Sequence, residues 1–332
     1  MTETRIHEIL KEFGGKRILV LGDLMLDHYF WGRANRISPE APVPVVAVES
    51  ETFLPGGGAN VIHNLHVLGV DVAVIGVIGT DTNGEKLKTL LTADGVDLTG
   101  LIADSERPTT TKIRIMARTQ QHQNQQIVRV DQEMSDPIRG SLCGKLQEAI
   151  HSASHFDAIY VSDYAKGAVT QETMDSIRKT KQRANRPVIV DPKGRDFAKY
   201  HGVTAISPNQ SEALGAFNLD EGDESTIRDV GHRLVKQFEI PQVFMTRGDK
   251  GVALFESDGN LTQISASSQE VFDVSGAGDT TAAVYMLALI AGASPKEAAE
   301  LGNLAGGISV GKVGVATVTK DELLNEAESS GQ

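Results

Sequence analysis

One cysteine, Cys143, stands in 332 residues, which excludes a disulfide framework and a cysteine-rich zinc site. With no second thiol and no triad partner near it, Cys143 reads as a small apolar residue rather than a nucleophile. Histidines such as His28, His63 and His122 lack metal-ligand spacing. Basic residues are outnumbered, 32 against 44 acidic, for a formal charge of −12. Such a surface has no general attraction for nucleic acid or anionic membranes. An anionic substrate would need a local cluster of Arg and Lys working against that field. No apolar run reaches membrane-spanning length, and the N-terminal Met-Thr-Glu-Thr-Arg-Ile-His-Glu-Ile-Leu stretch is charged and amphipathic, without a signal-peptide core. The expected compartment is the cytoplasm. Repeats, low-complexity segments and Pro-rich linkers are absent, so residues 1–332 are expected to form one compact unit.

What is present is a repeated grammar. Arg17-Ile-Leu-Val-Leu-Gly-Asp, Val72-Ala-Val-Ile-Gly, Ala158-Ile-Tyr-Val-Ser-Asp, Pro187-Val-Ile-Val-Asp-Pro, Thr204-Ala-Ile-Ser-Pro-Asn and Gln242-Val-Phe-Met-Thr-Arg-Gly are apolar runs closing on a polar residue. They read as buried parallel strands. Helical patterns lie between them, for example over 83–93, 138–151 and 170–184. Alternation of this kind predicts an α/β fold, a mostly parallel sheet with helices on both faces. Ligands bind such sheets where the strands end, beside those polar residues. Val43-Pro-Val-Val-Ala-Val-Glu, Thr111-Lys-Ile-Arg-Ile-Met-Ala-Arg and Gln126-Ile-Val-Arg-Val-Asp instead alternate with period two. They predict a small second sheet from about 30–53 and 108–132, either edge hairpins or a lid.

Asp273-Val-Ser-Gly-Ala-Gly-Asp279 precedes a long apolar segment, Thr280-Thr-Ala-Ala-Val-Tyr-Met-Leu-Ala-Leu-Ile. A small-residue loop entering a helix exposes backbone N–H groups at the positive end of a dipole, which suits a phosphate. An acid at that junction fits proton removal from a hydroxyl during phosphoryl transfer. The same residues could equally form a tight turn capped by Asp. Pro55-Gly-Gly-Gly-Ala-Asn60 leads into another helix, and Gly22-Asp-Leu-Met-Leu-Asp27 places two carboxylates after the first strand. Carboxylates and an amide grouped at strand ends suit polyol hydroxyls.

Together, Gly22-Asp23-Leu-Met-Leu-Asp27, Gly56-Gly-Gly-Ala-Asn60, Asn209-Gln-Ser-Glu212 and Gly276-Ala-Gly-Asp279 occur in this order over nearly the whole chain. The set resembles the ribokinase-like (PfkB) family of carbohydrate kinases. The resemblance implies a three-layer α/β/α fold with a β-sheet lid and ATP as phosphoryl donor. By position, Asp279 matches the family's catalytic base, and Gly276, Ala277 and Gly278 match its anion hole. Asn209 and Glu212 match the Asn-x-x-Glu motif that organises Mg²⁺ and the nucleotide phosphates, Glu212 acting indirectly through water. Thr246, Arg247 and Gly248 look like the nucleotide-side loop, with Asn303 near the base and Lys193 near phosphate. Asp23, Asp27, Gly57, Gly58 and Asn60 match the sugar side. The family resemblance also implies activation by a monovalent cation such as K⁺, with carbonyls around Asp273 and residues 311–314 as ligands, and a homodimer formed through the lid strands.

Arg36-Ile-Ser-Pro-Glu-Ala-Pro-Val-Pro-Val-Val, Ser162-Asp-Tyr-Ala-Lys-Gly167 and Val190-Asp-Pro-Lys-Gly194 are more narrowly similar to kinases of D-glycero-D-manno-heptose 7-phosphate. Those enzymes phosphorylate the C1 hydroxyl on the route to ADP-heptose and the lipopolysaccharide core. In many bacteria they are fused to a nucleotidyltransferase. This chain ends at Gln332 with no His-x-Gly-His motif, so a stand-alone kinase or an excised kinase half is expected. A phosphorylated sugar needs cations, best supplied by the planar fork of Arg. Lys112, Arg114, Arg118 and Arg129 on the lid strands are the candidates, with Arg33 and Arg36 near the first, and Lys166 and Lys193 as alternatives. Lys112, Arg114 and Arg118 share parity and would face one side of a regular strand. Another sugar, sugar phosphate or nucleoside as substrate, and a catalytically silent sugar-phosphate sensor, are the rival readings.

Overall fold

The computed structural model describes residues 1–118, 124–266, 271, 273–312, 314 and 316–330. His122 and Val313, the latter in the expected cation loop, lie outside them. In chain order the elements begin with α1 (Glu3–Lys11), β1 (Arg17–Gly22), β2 (Leu24–Ile37), β3 (Pro44–Gly57), α2 (Gly58–Val67), β4 (Asp71–Gly79) and α3 (Thr82–Ala93). Next come β5 (Asp97–Asp104), β6 (Thr111–Arg118), β7 (Asn124–Gln132), α4 (Gly140–Ser152), β8 (Ala158–Ser162), α5 (Gln171–Ala184), β9 (Val188–Asp191) and β10 (Ala205–Ile206). The chain continues through α6 (Gln210–Gly215), α7 (Glu224–Gln237), β11 (Gln242–Thr246), β12 (Val252–Glu256) and β13 (Leu261–Ile264), and closes with α8 (Ala277–Ile290), α9 (Pro295–Val310) and α10 (Lys320–Ser330).

Nine strands form the central sheet in the order β13-β12-β11-β10-β9-β8-β1-β4-β5. All pairs are parallel except β11–β12 and β12–β13. The period-two geometry of β1 shows why a continuous apolar run is needed there. Ile18 and Val20 enter the core beneath α1, α2, α8 and α9, while Leu19 and Leu21 enter the opposite one beneath α4, α5 and α7. Both faces are buried, as an apolar strand without alternation demands. α8 is apolar on all sides apart from its first turn, and it is buried from Asp279 to Ala288. Among the described residues no helix is long and apolar enough to cross a membrane.

The period-two segments form a separate four-stranded sheet, β3-β2-β6-β7. Its pairing puts Asp27 beside Lys112, Tyr29 beside Arg114, and Arg114 beside Arg129 on one face. Phe30, Ile113, Ile115, Val128 and Val130 share the other face by the same register. β2 leaves the central sheet directly after β1, and β3 returns directly into α2. Asp27 and Asn60 are therefore held at the junction of the two sheets.

Candidate active site

Asp279 lies in the first turn of α8, behind a loop that needs glycine. Gly276 caps the helix at φ 78°, a left-handed conformation, and no side chain caps the N-terminus. The Asp279 carboxylate is buried, 3% exposed. Asn60 Nδ2 donates to its Oδ2 at 2.7 Å, and Tyr164 Oη donates to its Oδ1 at 2.7 Å. Burial pushes Asp279 up to about 6, against the downward pull of these two bonds. A carboxylate with that value is ionised at neutral pH and is a competent proton acceptor. Behind it, Asn64 Nδ2 donates to Asn60 Oδ1 at 3.2 Å, and Thr280 Oγ1 donates to Asn64 Oδ1 at 3.0 Å. This buried chain stitches α2 to α8 and fixes the carboxylate.

From Asp279 a crevice runs outward. Its polar part is lined by Asp191, Lys193, Ser207, Asn209, Glu212, Thr246, Gly276 and Gly278. It shares Thr246 and Gly278 with a largely apolar cleft of about 440 Å³ walled by Val252, Ala266, Val271, Val274, Val310 and Asn303. Apolar walls at one end and Lys193, Asn209 and the N-terminus of α8 at the other match the shape of a nucleoside phosphate. Lys193 Nζ donates to Glu212 Oε1 at 2.6 Å, and Glu212 Oε2 accepts the Asn209 N–H at 2.9 Å. The Asn209-x-x-Glu212 motif is thus also the capping box of α6. Asp191 is held well above the usual carboxylate range by burial, and next by the Asp279 and Glu212 charges. A hollow of similar size beside α4 and β5 holds the Arg17–Asp97 ion pair and none of the motif residues.

On the lid side, Arg114 Nη1 is bonded to Asp27 Oδ1. Burial raises Asp27 while Arg114, Lys112 and Arg129 pull it back down. Gly56 is required here, because a Cβ would sit 2.8 Å from Asp27 Oδ2. Lys112 Nζ lies over the Tyr164 ring, 5.4 Å from its centre, and its charge acts on both Asp27 and Asp279. Arg129 grips Asp131 through Nε and Nη2 at 2.9 and 3.0 Å.

Several expected site residues are placed elsewhere or already engaged. Asp23 is already engaged: its Oδ2 accepts the Tyr164 and Lys166 N–H groups and its Oδ1 that of Ala168. Gly58 gives its N–H to the Asp23 carbonyl, and Gly57 sits at φ 52° against Asp23 and Met25, so these two glycines close the junction. Arg247 lies between Thr246 and Gly248, which line the cleft, but its guanidinium is already engaged, buried against both oxygens of Glu224 at 2.6 and 2.8 Å. Arg118 lies four residues beyond Arg114, roughly 13 Å along the strand, beside Trp31 and Glu49. Parity alone did not bring it to Asp27. Lys166 pairs with Glu133 at 2.8 Å, and Arg33 with Glu49 at 2.6 Å. Conversely, the chemistry of Tyr164, Asp191 and Ser207 was not assigned from sequence. Tyr164 and Asp191 lie in the segments quoted above, Ser162–Gly167 and Val190–Gly194, but nothing local says that a Tyr two residues past a strand reaches α8.

The chain matches the profile described as pfkB family carbohydrate kinase over residues 16–322. A bifunctional protein HldE of Geotalea uraniireducens is 43% identical over 324 residues, covering 97% of this chain and 64% of that protein. The bifunctional protein HldE of Geobacter sulfurreducens is 39% identical over 325 residues, covering 98% and 65%. The chain therefore spans less than two thirds of the length of these relatives. Among solved structures, phosphofructokinase-2 from Escherichia coli in complex with potassium superposes with a TM-score of 0.80 at 20% identity, covering 96% of this chain and 100% of that one. Arabidopsis thaliana ribokinase complexed with ribose and ATP gives 0.72 at 20% identity, over 94% and 99%. These likenesses establish the three-layer fold and its smaller lid sheet, and the profile match establishes the lineage: the chain belongs to the pfkB family of carbohydrate kinases.

Proposed function

We propose that residues 1–332 work as one cytoplasmic kinase unit, with its lid drawn from about 30–53 and 108–132, that transfers the γ-phosphoryl group of ATP to the C1 hydroxyl of D-glycero-D-manno-heptose 7-phosphate, giving the 1,7-bisphosphate. The observation that carries this reading is the place of Lys112 on the lid face, beside Asp27 in the β2–β6 register and with its Nζ over the ring of Tyr164, whose hydroxyl bonds Asp279. With Arg114 and Arg129 on the same face, Lys112 forms the local cationic patch that a phosphorylated sugar requires on a chain of net charge −12. The motifs shared with heptose 7-phosphate kinases narrow the sugar, and relatives named HldE are consistent with that branch.

In this mechanism Asp27 and Asn60 orient the sugar hydroxyls. Asp279 takes the proton of the C1 hydroxyl as that oxygen bonds to phosphorus and the bond from phosphorus to the departing ADP oxygen breaks. The backbone N–H groups of residues 276–278 stabilise charge on the transferred group. Among the described residues no three carboxylate, His or Cys groups converge tightly enough to grip a metal alone. Mg²⁺, which keeps several waters and takes phosphate oxygens, would be held indirectly through water by Glu212, beside Asn209 in the polar crevice. Magnesium, when bound, neutralises charge on the phosphates. For K⁺, the proposed ligands are carbonyls around Asp273 and residues 311–314, and Asp273 gives its N–H to the Val310 carbonyl and accepts the Gly314 N–H on its Oδ2. The exposed lid face with Val128 and Val130 is offered as the homodimer surface.

An ATP-to-ADP assay across a panel of sugars and sugar phosphates tests the substrate. Heptose 7-phosphate should give the highest kcat/KM, with a new anomeric phosphate resonance in the ³¹P spectrum. Preference for another sugar phosphate would overturn the heptose assignment alone, and no ADP formation with any sugar would overturn the kinase reading.

A further inference from the structure

We propose that Tyr164 is a positioning residue for Asp279, and that Asp23 acts one step further back by holding the loop that carries Tyr164. The inference rests on the reading of Asp279 as the base. The phenol and the Asn60 amide each take one oxygen of the carboxylate, both at 2.7 Å, so its plane is fixed from two sides. A carboxylate has about four lone-pair sites, which leaves capacity to accept the proton of a sugar hydroxyl.

Tyr164 reaches that position because its loop is over-determined. The chain leaves β8 at Ser162 and turns sharply, with Ala165 at φ 55°, where a side chain is strained. Two buried carboxylates hold the turn. Asp23 accepts the N–H groups of Tyr164, Lys166 and Ala168 at 2.8, 2.9 and 2.9 Å. Asp163 accepts the Ala165 N–H at 2.7 Å and the Tyr200 hydroxyl at 2.6 Å, and pairs with Lys199. Arg107 adds a clamp from the foot of the lid, donating to the Lys166 carbonyl at 2.9 Å and to those of Met134 and Asp136. Three amides on one carboxylate form a socket that only an acceptor-only side chain fits; Asn would turn a donor toward an amide.

The phenol has a chemical consequence beyond orientation. Burial pushes Asp279 toward the protonated form, in which it cannot accept a proton, and the Tyr164 hydroxyl favours the ionised form. Asp27 and Lys112 face Asp279 from the lid, and Tyr160, Asp191 and Lys193 face it from β8, β9 and the loop beyond. All of these stay in place when only the phenol oxygen is removed.

The test follows the Asp279 carboxylate by ¹³C NMR in the ligand-free protein labelled at aspartate, its resonance identified by its loss in Asp279→Asn. In the wild type it should titrate near 6. Tyr164→Phe should move the midpoint to higher pH, and replacement of Tyr164 by 3-fluorotyrosine, a stronger donor, should move it lower. With ATP and an accepted sugar phosphate, Tyr164→Phe should lower kcat roughly ten-fold and carry the acid limb upward, leaving KM for ATP unchanged. An unchanged midpoint in both variants overturns the positioning role, even where Asp279→Asn is inactive. Near-normal turnover by Asp279→Asn overturns the base itself, whatever the titration shows.

Discussion

Asp279 sets the pH behaviour expected of single residues in this site. Its carboxyl is raised to about 6 by burial, so the folded protein holds this proton more tightly than the unfolded chain. The stability gained from that proton is full below about pH 4, the unfolded value, and is lost as pH rises through about 6. Asp279→Asn removes the penalty of a buried charge but mismatches one of its two donors. It should be more stable than the wild type by roughly 1–2 kcal/mol at pH 8, with the gap closing near pH 4. Urea unfolding at the two values measures this, and a variant less stable at pH 8 would contradict it. Turnover should fall by about 10²–10⁴. On the sugar side, Lys112 is a cleaner probe than Arg114. Arg114→Ala strands buried Asp27 and is expected to cost roughly 3–5 kcal/mol of stability. Lys112→Ala should instead raise KM for the sugar phosphate about ten-fold or more and leave KM for ATP within about two-fold. Equal changes in both constants would point to a disturbed lid.

At the scale of elements, α6 joins structure and chemistry in one side chain. Glu212 closes the capping box through Oε2 and holds Lys193 through Oε1. Gln caps equally well, so Glu212→Gln should unfold within about 1 kcal/mol of the wild type. Its Mg²⁺ requirement for half-maximal activity should rise several-fold, because a negative charge is lost beside Asp191. Magnesium titration at saturating nucleotide measures this; an unchanged curve would remove Glu212 from the metal's surroundings. Elements were also where the sequence was most legible. The helices expected over 83–93, 138–151 and 170–184 lie at Thr82–Ala93, Gly140–Ser152 and Gln171–Ala184, since caps and periodicity are local. Arg247 and Arg118 show where local reading stops. Arg247 follows a strand as a nucleotide-loop residue would, yet Glu224 at the start of α7 claims it. Arg118 has the right parity but sits too far along β6.

For the whole molecule, the two-faced lid has the widest consequence. Its inner face carries Asp27, Lys112, Arg114 and Arg129, and its outer face exposes Val128 and Val130, 47% and 51% accessible. If that face joins two copies, the double variant Val128→Asp, Val130→Asp should sediment as a monomer at micromolar concentration. The thermal transition of the three-layer body should be retained. A wild type already monomeric under those conditions would rule the lid out as the dimer surface. The architecture and the acid at the start of α8 were determined by sequence alone, because strand and helix periodicity, glycine loops and caps are short-range properties. Tertiary structure decided which groups are free to act. Asp23 is spent on three amides, buried Arg247 on the carboxylate of Glu224, and Tyr164 is delivered to Asp279 across 115 positions of chain. The physical reason is that a buried polar group must find partners wherever the fold brings them, and spacing along the chain carries no record of that choice.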